Sequence, residues 1–243
     1  MKDICFPRRI DEIVILSDHL SQTLHSFRTL FRLEQWQESA LTDSSGAVLC
    51  RQAVHVMRDR KALRVMQPVA GDTIYSRFLT RFGPGLFGVR ERVPDEVWEA
   101  FCAHLSGHGI TLTPGQDGAV WADFTHLLGG FYGLIPQSAP IHPLTEDLNL
   151  RQFCIVTDHV ERIAEILKEY LLLGPTEIGH SNSRTVTGAV NSQYPGGLPD
   201  FEFLTGMLFY DNMEFEIVEP KYGPLAYFDF LKRHGTGLSL IHI

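Results

Sequence analysis

Two acid–imidazole pairs, Asp18-His19 and Asp158-His159, carry side chains able to do acid–base chemistry. Each pair sits at a turn between a short apolar run and a helical pattern, a place that favours capping or packing over catalysis. His126 in ADFTHLLGG lies beside a hairpin and reads as structural. HSNS (His180 to Ser183) and QYPGGLPD (Gln193 to Asp200) are polar and rich in turn formers, so both read as surface loops, the kind that often covers the mouth of a site. Cys5, Cys50, Cys102 and Cys154 are far apart and form no CxxC, which suits small buried hydrophobes in a reducing, cytoplasmic setting. The chain contains no Walker A loop, HExxH, GxSxG or dinucleotide fingerprint.

The bulk properties narrow the classes of function. A net charge of −8 argues against a broad nucleic-acid-binding face. Arg58, Asp59, Arg60 and Lys61 are mixed in sign and read as a solvated hairpin turn. The opening MKDICFPRRIDE has charges where a signal peptide needs an apolar core, and no apolar run approaches the roughly 18 residues of a membrane span.

What positions the polar residues is an internal repeat. IVILSDHLSQTLHSFRTLFRL (Ile13 to Leu33) matches FCIVTDHVERIAEILKEYLLL (Phe153 to Leu173) without gaps: apolar strand, Asp-His turn, helix. LRVMQPVAGDTIYSRFLTRFGPGL (Leu63 to Leu86) matches FEIVEPKYGPLAYFDFLKRHGTGL (Phe215 to Leu238): strand, proline, a short helix with Phe-Leu, and a G-x-G-L turn. AVHVMRD (Ala53 to Asp59) and GMLFYDN (Gly206 to Asn212) each supply a hairpin partner to the strand that follows. FGVRERVPDEVWEAFCAHLSGHGITLT, then AVWADFT and GFYGLIP, read as another strand–helix–strands unit. SAPIHPL (Ser138 to Leu144) is the best boundary in the chain.

These features resemble the vicinal oxygen chelate superfamily, which includes glyoxalase I, methylmalonyl-CoA epimerase, extradiol dioxygenases and bleomycin-resistance proteins. The nearest likeness is to epimerase-like members, through FEIVEP followed by FLKRHGTGL. The resemblance implies an α+β fold of tandem βαβββ modules. A complete first domain would cover 8–137, with modules at about 8–68 and 85–135. A linker over 138–148 would follow, then an incomplete second domain over 149–243: a module at about 149–220, a helix and the start of a fourth module. LSLIHI at the end resembles adapter read-through, so the expectation is a truncated product, with a domain-swapped homodimer as the competing explanation.

In the family, paired modules curl into a cup that holds a divalent metal ion on first-strand and last-strand ligands. By that mapping the first cup offers Glu12 and Arg64, then Gly88 and Gly133 or Leu134, and reads as metal-free, since guanidinium has no lone pair to give. Arg64 then either anchors an anionic group, making Arg64 and Glu12 substrate-binding, or pairs with Glu12 across adjacent strands. The second cup offers Gln152 and Glu216 as oxygen donors, or Gln152 bonds locally and Glu216 satisfies it. His242 is a weak further metal candidate, on the same side of its strand as Leu240.

The implied activity is a metal-dependent isomerase or lyase acting on a small carbonyl, thioester or glutathione adduct by metal-stabilised enolate chemistry. The alternative is a metal-free protein that binds or sequesters a small ligand. An extradiol-type dioxygenase is weaker, because its iron would want histidine where Gln152 stands. A small-molecule substrate is expected in each case, with neither nucleic acid nor membrane as partner.

Overall fold

The computed structural model describes residues 6–57, 60–115, 118–141, 150–185 and 199–242, the side chains of 240–242 excepted. Cys5, Arg58, Asp59, the end of SAPIHPL from residue 142 and most of QYPGGLPD therefore lie outside the described residues.

Three segments repeat one plan, and a fourth shows its first strand. The first is β1 (Ile10–Leu16), α1 (Leu20–Phe31), β2 (Gln37–Thr42), β3 (Val48–Val56) and β4 (Ala62–Pro68). A crossing helix, α2 (Ile74–Phe82), leads to β5 (Gly85–Val93), α3 (Asp95–Gly107), β6 (Leu112–Pro114), β7 (Val120–Phe124) and β8 (Gly130–Pro136). The third has β9 (Gln152–Val156), α4 (Val160–Tyr170), β10 (Glu177–Asn182), β11 (Glu202–Tyr210) and β12 (Met213–Tyr222). A second crossing helix, α5 (Ala226–His234), leads to β13 (Gly237–His242).

Pairing follows the same plan. One sheet has the order β2-β3-β4-β1-β5-β8-β7-β6 and the other β10-β11-β12-β9-β13. The strand before each module helix lies parallel to the module's last strand, in β1–β4, β5–β8 and β9–β12. Consecutive modules meet antiparallel through their first strands, β1 against β5 and β9 against β13. Even the irregularity repeats, because Ile15 faces Leu86 and Val14 faces Gly88, while Ile155 faces Leu238 and Cys154 faces Leu240.

Helix starts show how the repeat is used locally. His19 and His159 occupy the N-cap positions, but both imidazoles are exposed and neither makes a side-chain capping bond. The work is done by residues around them. Ser17 Oγ accepts from His19 N at 2.9 Å and Thr157 Oγ1 from His159 N at 3.1 Å. The end of the neighbouring strand then reaches the first turn: Gln67 Oε1 accepts from Leu20 N at 3.3 Å, and Glu219 Oε2 from Val160 N at 2.9 Å. α2 carries its own capping box, Thr73 with Ser76.

Three strand expectations need correction. β3 begins at Val48 rather than Ala53, and β11 at Glu202 rather than Gly206. HSNS is a strand segment for the most part, since His180 to Asn182 belong to β10. β2 and β10 are edge strands with mostly exposed side chains, so neither face imposes apolar alternation on their sequences.

The main core lies between the outer faces of the two sheets and the module helices. Val89, Tyr132 and Leu134 of the first sheet share it with Phe153, Ile155 and Phe215 of the second. Buried polar ties cross the same boundary. Arg8 pairs with Glu91, Tyr132 Oη donates to Glu91 Oε2 at 2.6 Å, and the Tyr132 and Tyr210 hydroxyls meet at 2.9 Å. Lys61, expected in a solvated turn, is instead 1% exposed, and its Nζ donates to the Asn212 carbonyl at 2.8 Å. Among the described residues no helix is long and apolar enough to cross a membrane.

Candidate functional site: two unlike cups

α2 and α5 each cover the other face of their sheet, and these two covered faces are the cups. The first is packed solid. Ile74, Tyr75 and Phe78 of α2 are buried against Phe87, Trp121 and Phe131. Tyr75 Oη accepts a hydrogen bond from Trp121 Nε1 at 3.0 Å.

Beneath that layer lies a charged cluster. Glu12 is 1% exposed; its Oε1 accepts from Arg64 Nη2 at 2.8 Å and its Oε2 from Arg90 Nη1 at 2.8 Å. Arg64 Nη1 also donates to Gln52 Oε1 at 2.7 Å. The Glu12–Arg64 pair expected across adjacent strands is present, and the second guanidinium is an addition. Arg90 comes from β5, antiparallel to β1, and its guanidinium carbon stands 5.9 Å from the Trp121 ring centroid.

The other mapped positions in this cup are filled by neighbours. A Cβ on Gly88 would fall 2.3 Å from the Phe131 carbonyl oxygen. One on Gly133 would fall 2.7 Å from Arg90 Cγ and 2.9 Å from the Trp121 ring. Leu134 points to the opposite face, into the main core. The sequence pattern therefore identifies positions whose side-chain space has been taken by Trp121 and Arg90.

The second cup differs at each point. Gln152 Nε2 donates to Glu216 Oε2 at 2.6 Å, so β9 and β12 bring the two residues together on one face. Glu214 is on that face as well, two residues from Glu216 along β12. Burial, and then the nearby Glu214 charge, push the Glu216 carboxyl up to about 7. Among the described residues no Lys, Arg or His stands within salt-bridge distance of Glu216. Burial and the Glu216 charge also push the Cys154 thiol up, which leaves it a small inert hydrophobe.

α5 covers this cup less tightly than α2 covers the first. It has no buried residue; Tyr227, Phe230 and Leu231 are half-buried against Cys154, Val156, Val218 and Phe203. In register, His242 faces Gln152 as Arg90 faces Glu12, and Leu240 faces Cys154. The His242 side chain lies outside the described residues. Among the described residues no group of three or more His, Cys, Asp and Glu is arranged to hold a metal ion.

Sequence reasoning missed Arg90, Gln52, Glu214 and Tyr227. Tyr227 carried a readable signal, because it aligns with Tyr75 in the repeated segment. Glu214 carried another, by alternation with Glu216.

No family model and no curated protein sequence matches the chain. Solved structures do. A mutant form of 4-hydroxymandelate synthase from Streptomyces coelicolor is 15% identical with a TM-score of 0.66, over 97% of this chain and 71% of that one. Methylmalonyl-CoA epimerase from Streptomyces coelicolor, complexed with 2-nitronate-propionyl-CoA, is 20% identical with a TM-score of 0.42, over 56% of this chain and 98% of that one. The epimerase from Mycobacterium tuberculosis is 19% identical with a TM-score of 0.43, over 54% of this chain and 88% of that one. At such identities the likeness speaks for architecture alone, carried by the first of these structures together with the module order and registers above. This chain has the fold of the vicinal oxygen chelate superfamily.

Proposed function

We propose that the second cup is the working centre, and that the chain is a divalent-cation-dependent isomerase or lyase. Its substrate class is a small carbonyl, thioester or glutathione adduct that loses a proton beside the carbonyl. The contrast between the cups supports this reading. Glu12 is neutralised by two arginines, whereas Glu216 is half-buried beside Glu214 and Gln152 without a cationic side chain among the described residues. A buried carboxylate lacking a counter-charge is destabilising, and a cation relieves it.

The donor set suits such an ion. Gln152 Oε1 and the Glu216 carboxylate are hard oxygen donors on one face, and they are the residues that would hold it. When bound, a divalent cation supplies Lewis-acid stabilisation of the negative charge that develops on a carbonyl oxygen. Glu216 would lose its proton on binding, so affinity would climb through pH 7. Phe203, Phe230 and Leu231 limit water on the α5 side of the site, which strengthens electrostatic interactions there.

The test is manganese binding by calorimetry. The unaltered protein takes up the ion, and Glu216→Ala binds it at least about tenfold more weakly. Equal affinity in the two proteins overturns the assignment. One observation favours a second reading, a metal-free binding protein: the Gln152 amide already satisfies Glu216 directly. Ligand binding that is indifferent to a chelator would select that reading.

A further inference from the structure

The tyrosine of each crossing helix sits at the same place in the repeat, yet the two are used differently. Tyr75 is buried and its hydroxyl is engaged by Trp121. Tyr227 is half-buried, with its ring edge-on to Phe203 at a centroid distance of 5.8 Å. Its hydroxyl has no hydrogen-bond partner among the described residues. Its ring packs against Cys154, whose register partner on β12 is Glu216. A phenol carries its proton throughout the neutral range, so this hydroxyl is a donor on the β9–β12 side that bears Cys154.

We propose that the Tyr227 hydroxyl contacts the ligand of the second cup, donating a hydrogen bond to one of its oxygens. This rests on the reading of the second cup as a divalent-cation site. The surroundings define the ligand class. A phenol that donates needs an oxygen acceptor, and the Phe203, Tyr227 and Phe230 rings form an apolar wall suited to a flat body. Glu214 and Glu216 repel a bare anion, so an acidic ligand enters only with a cation between it and the carboxylates. The class is a small carboxylate or enolisable carbonyl compound, with one oxygen toward Gln152 and Glu216 and another toward Tyr227. Tyr227 is thus a binding residue supplied by the crossing helix rather than by the sheet.

The experiment titrates manganese into the full chain, then oxalate into the manganese-loaded protein, by calorimetry. Three proteins are compared: the unaltered chain, Tyr227→Phe and Tyr75→Phe. Tyr227→Phe keeps the ring against Phe203, so its fold and manganese affinity are retained while oxalate binds roughly 10- to 100-fold more weakly, the effect of losing a hydrogen bond to a charged oxygen. Tyr75→Phe leaves oxalate affinity unchanged. Equal oxalate affinity in Tyr227→Phe and the unaltered chain overturns the proposal, as does a loss confined to Tyr75→Phe. If oxalate binds without manganese, the cation reading fails, and a loss in Tyr227→Phe still upholds the hydroxyl's role. If neither manganese nor oxalate binds the unaltered chain, both readings are overturned.

Discussion

The Gln152 amide donates to the Glu216 carboxylate at 2.6 Å across β9 and β12, and that acid lacks a cationic partner among the described residues. The corresponding strand positions of the other cup hold Glu12 and Arg64, an acid and a base that neutralise each other. One repeat therefore produced two electrostatic outcomes: a closed charge cluster and a carboxylate with its proton held near neutrality.

The Glu216 carboxyl lies at about 7 in the folded protein, above its ordinary value of 4.5. Between those values the folded state binds more protons than the unfolded state, so this group's contribution falls as pH rises from 4.5 to 7 and is level above that. Glu216→Gln keeps an acceptor for Gln152 and removes the titration. Relative to the unaltered protein, the variant gains about 1–3 kcal/mol between pH 4.5 and pH 8, with part of that screened by solvent. Denaturant unfolding at the two pH values checks this, and parallel pH profiles for both proteins refute it.

Glu12 is the shared partner of Arg64 and Arg90, so its loss leaves two buried guanidinium groups without their carboxylate. Glu12→Gln is expected to cost about 3–5 kcal/mol. Arg64→Met leaves Glu12 with Arg90 and costs less. Thermal and chemical melts rank the two, and the reverse order would mean that the acid is not the hub.

Restoring a side chain at the mapped position on β5 should fail. Gly88→Ala drives its Cβ against the Phe131 carbonyl oxygen, which is backbone and cannot rotate away. The expected cost is about 1–3 kcal/mol or more, because β5 and β8 must separate locally. A Gly88→Ala protein as stable as the original would show that the first cup has room after all.

The two sheets are tied by the buried Arg8–Glu91–Tyr132–Tyr210 cluster. Arg8→Met strands Glu91, which burial already pushes toward the protonated form, and costs about 3–5 kcal/mol. Tyr210→Phe removes only the outer hydrogen bond and costs about 1 kcal/mol. Calorimetric unfolding separates them, and equal effects would rule out Arg8 as the counter-charge.

Much of the architecture is legible in the sequence. The matched segments Ile13 to Leu33 and Phe153 to Leu173 foretold β1–α1 and β9–α4, because a strand entering an amphipathic helix changes its apolar period within a few residues. The starts of β3 and β11, and the strand through HSNS, were not legible, since exposed edge residues carry no such period. The closeness of Gln152 and Glu216 followed from the resemblance, whereas Arg90 as a second partner for Glu12 did not.

The sequence by itself determined the repeat, the elements it encodes and the residue types at each repeated position, because local periodicity and turn chemistry act over a few neighbouring residues. Only the tertiary structure decided which carboxylate is neutralised and which remains, among the described residues, without a cationic partner. That depends on strands far apart in the chain coming into register, as Arg90 of β5 does beside Glu12, and on how completely a crossing helix removes water. α2 buries three of its residues and fills its cup, while α5 buries none and leaves Glu216 and Tyr227 half-buried.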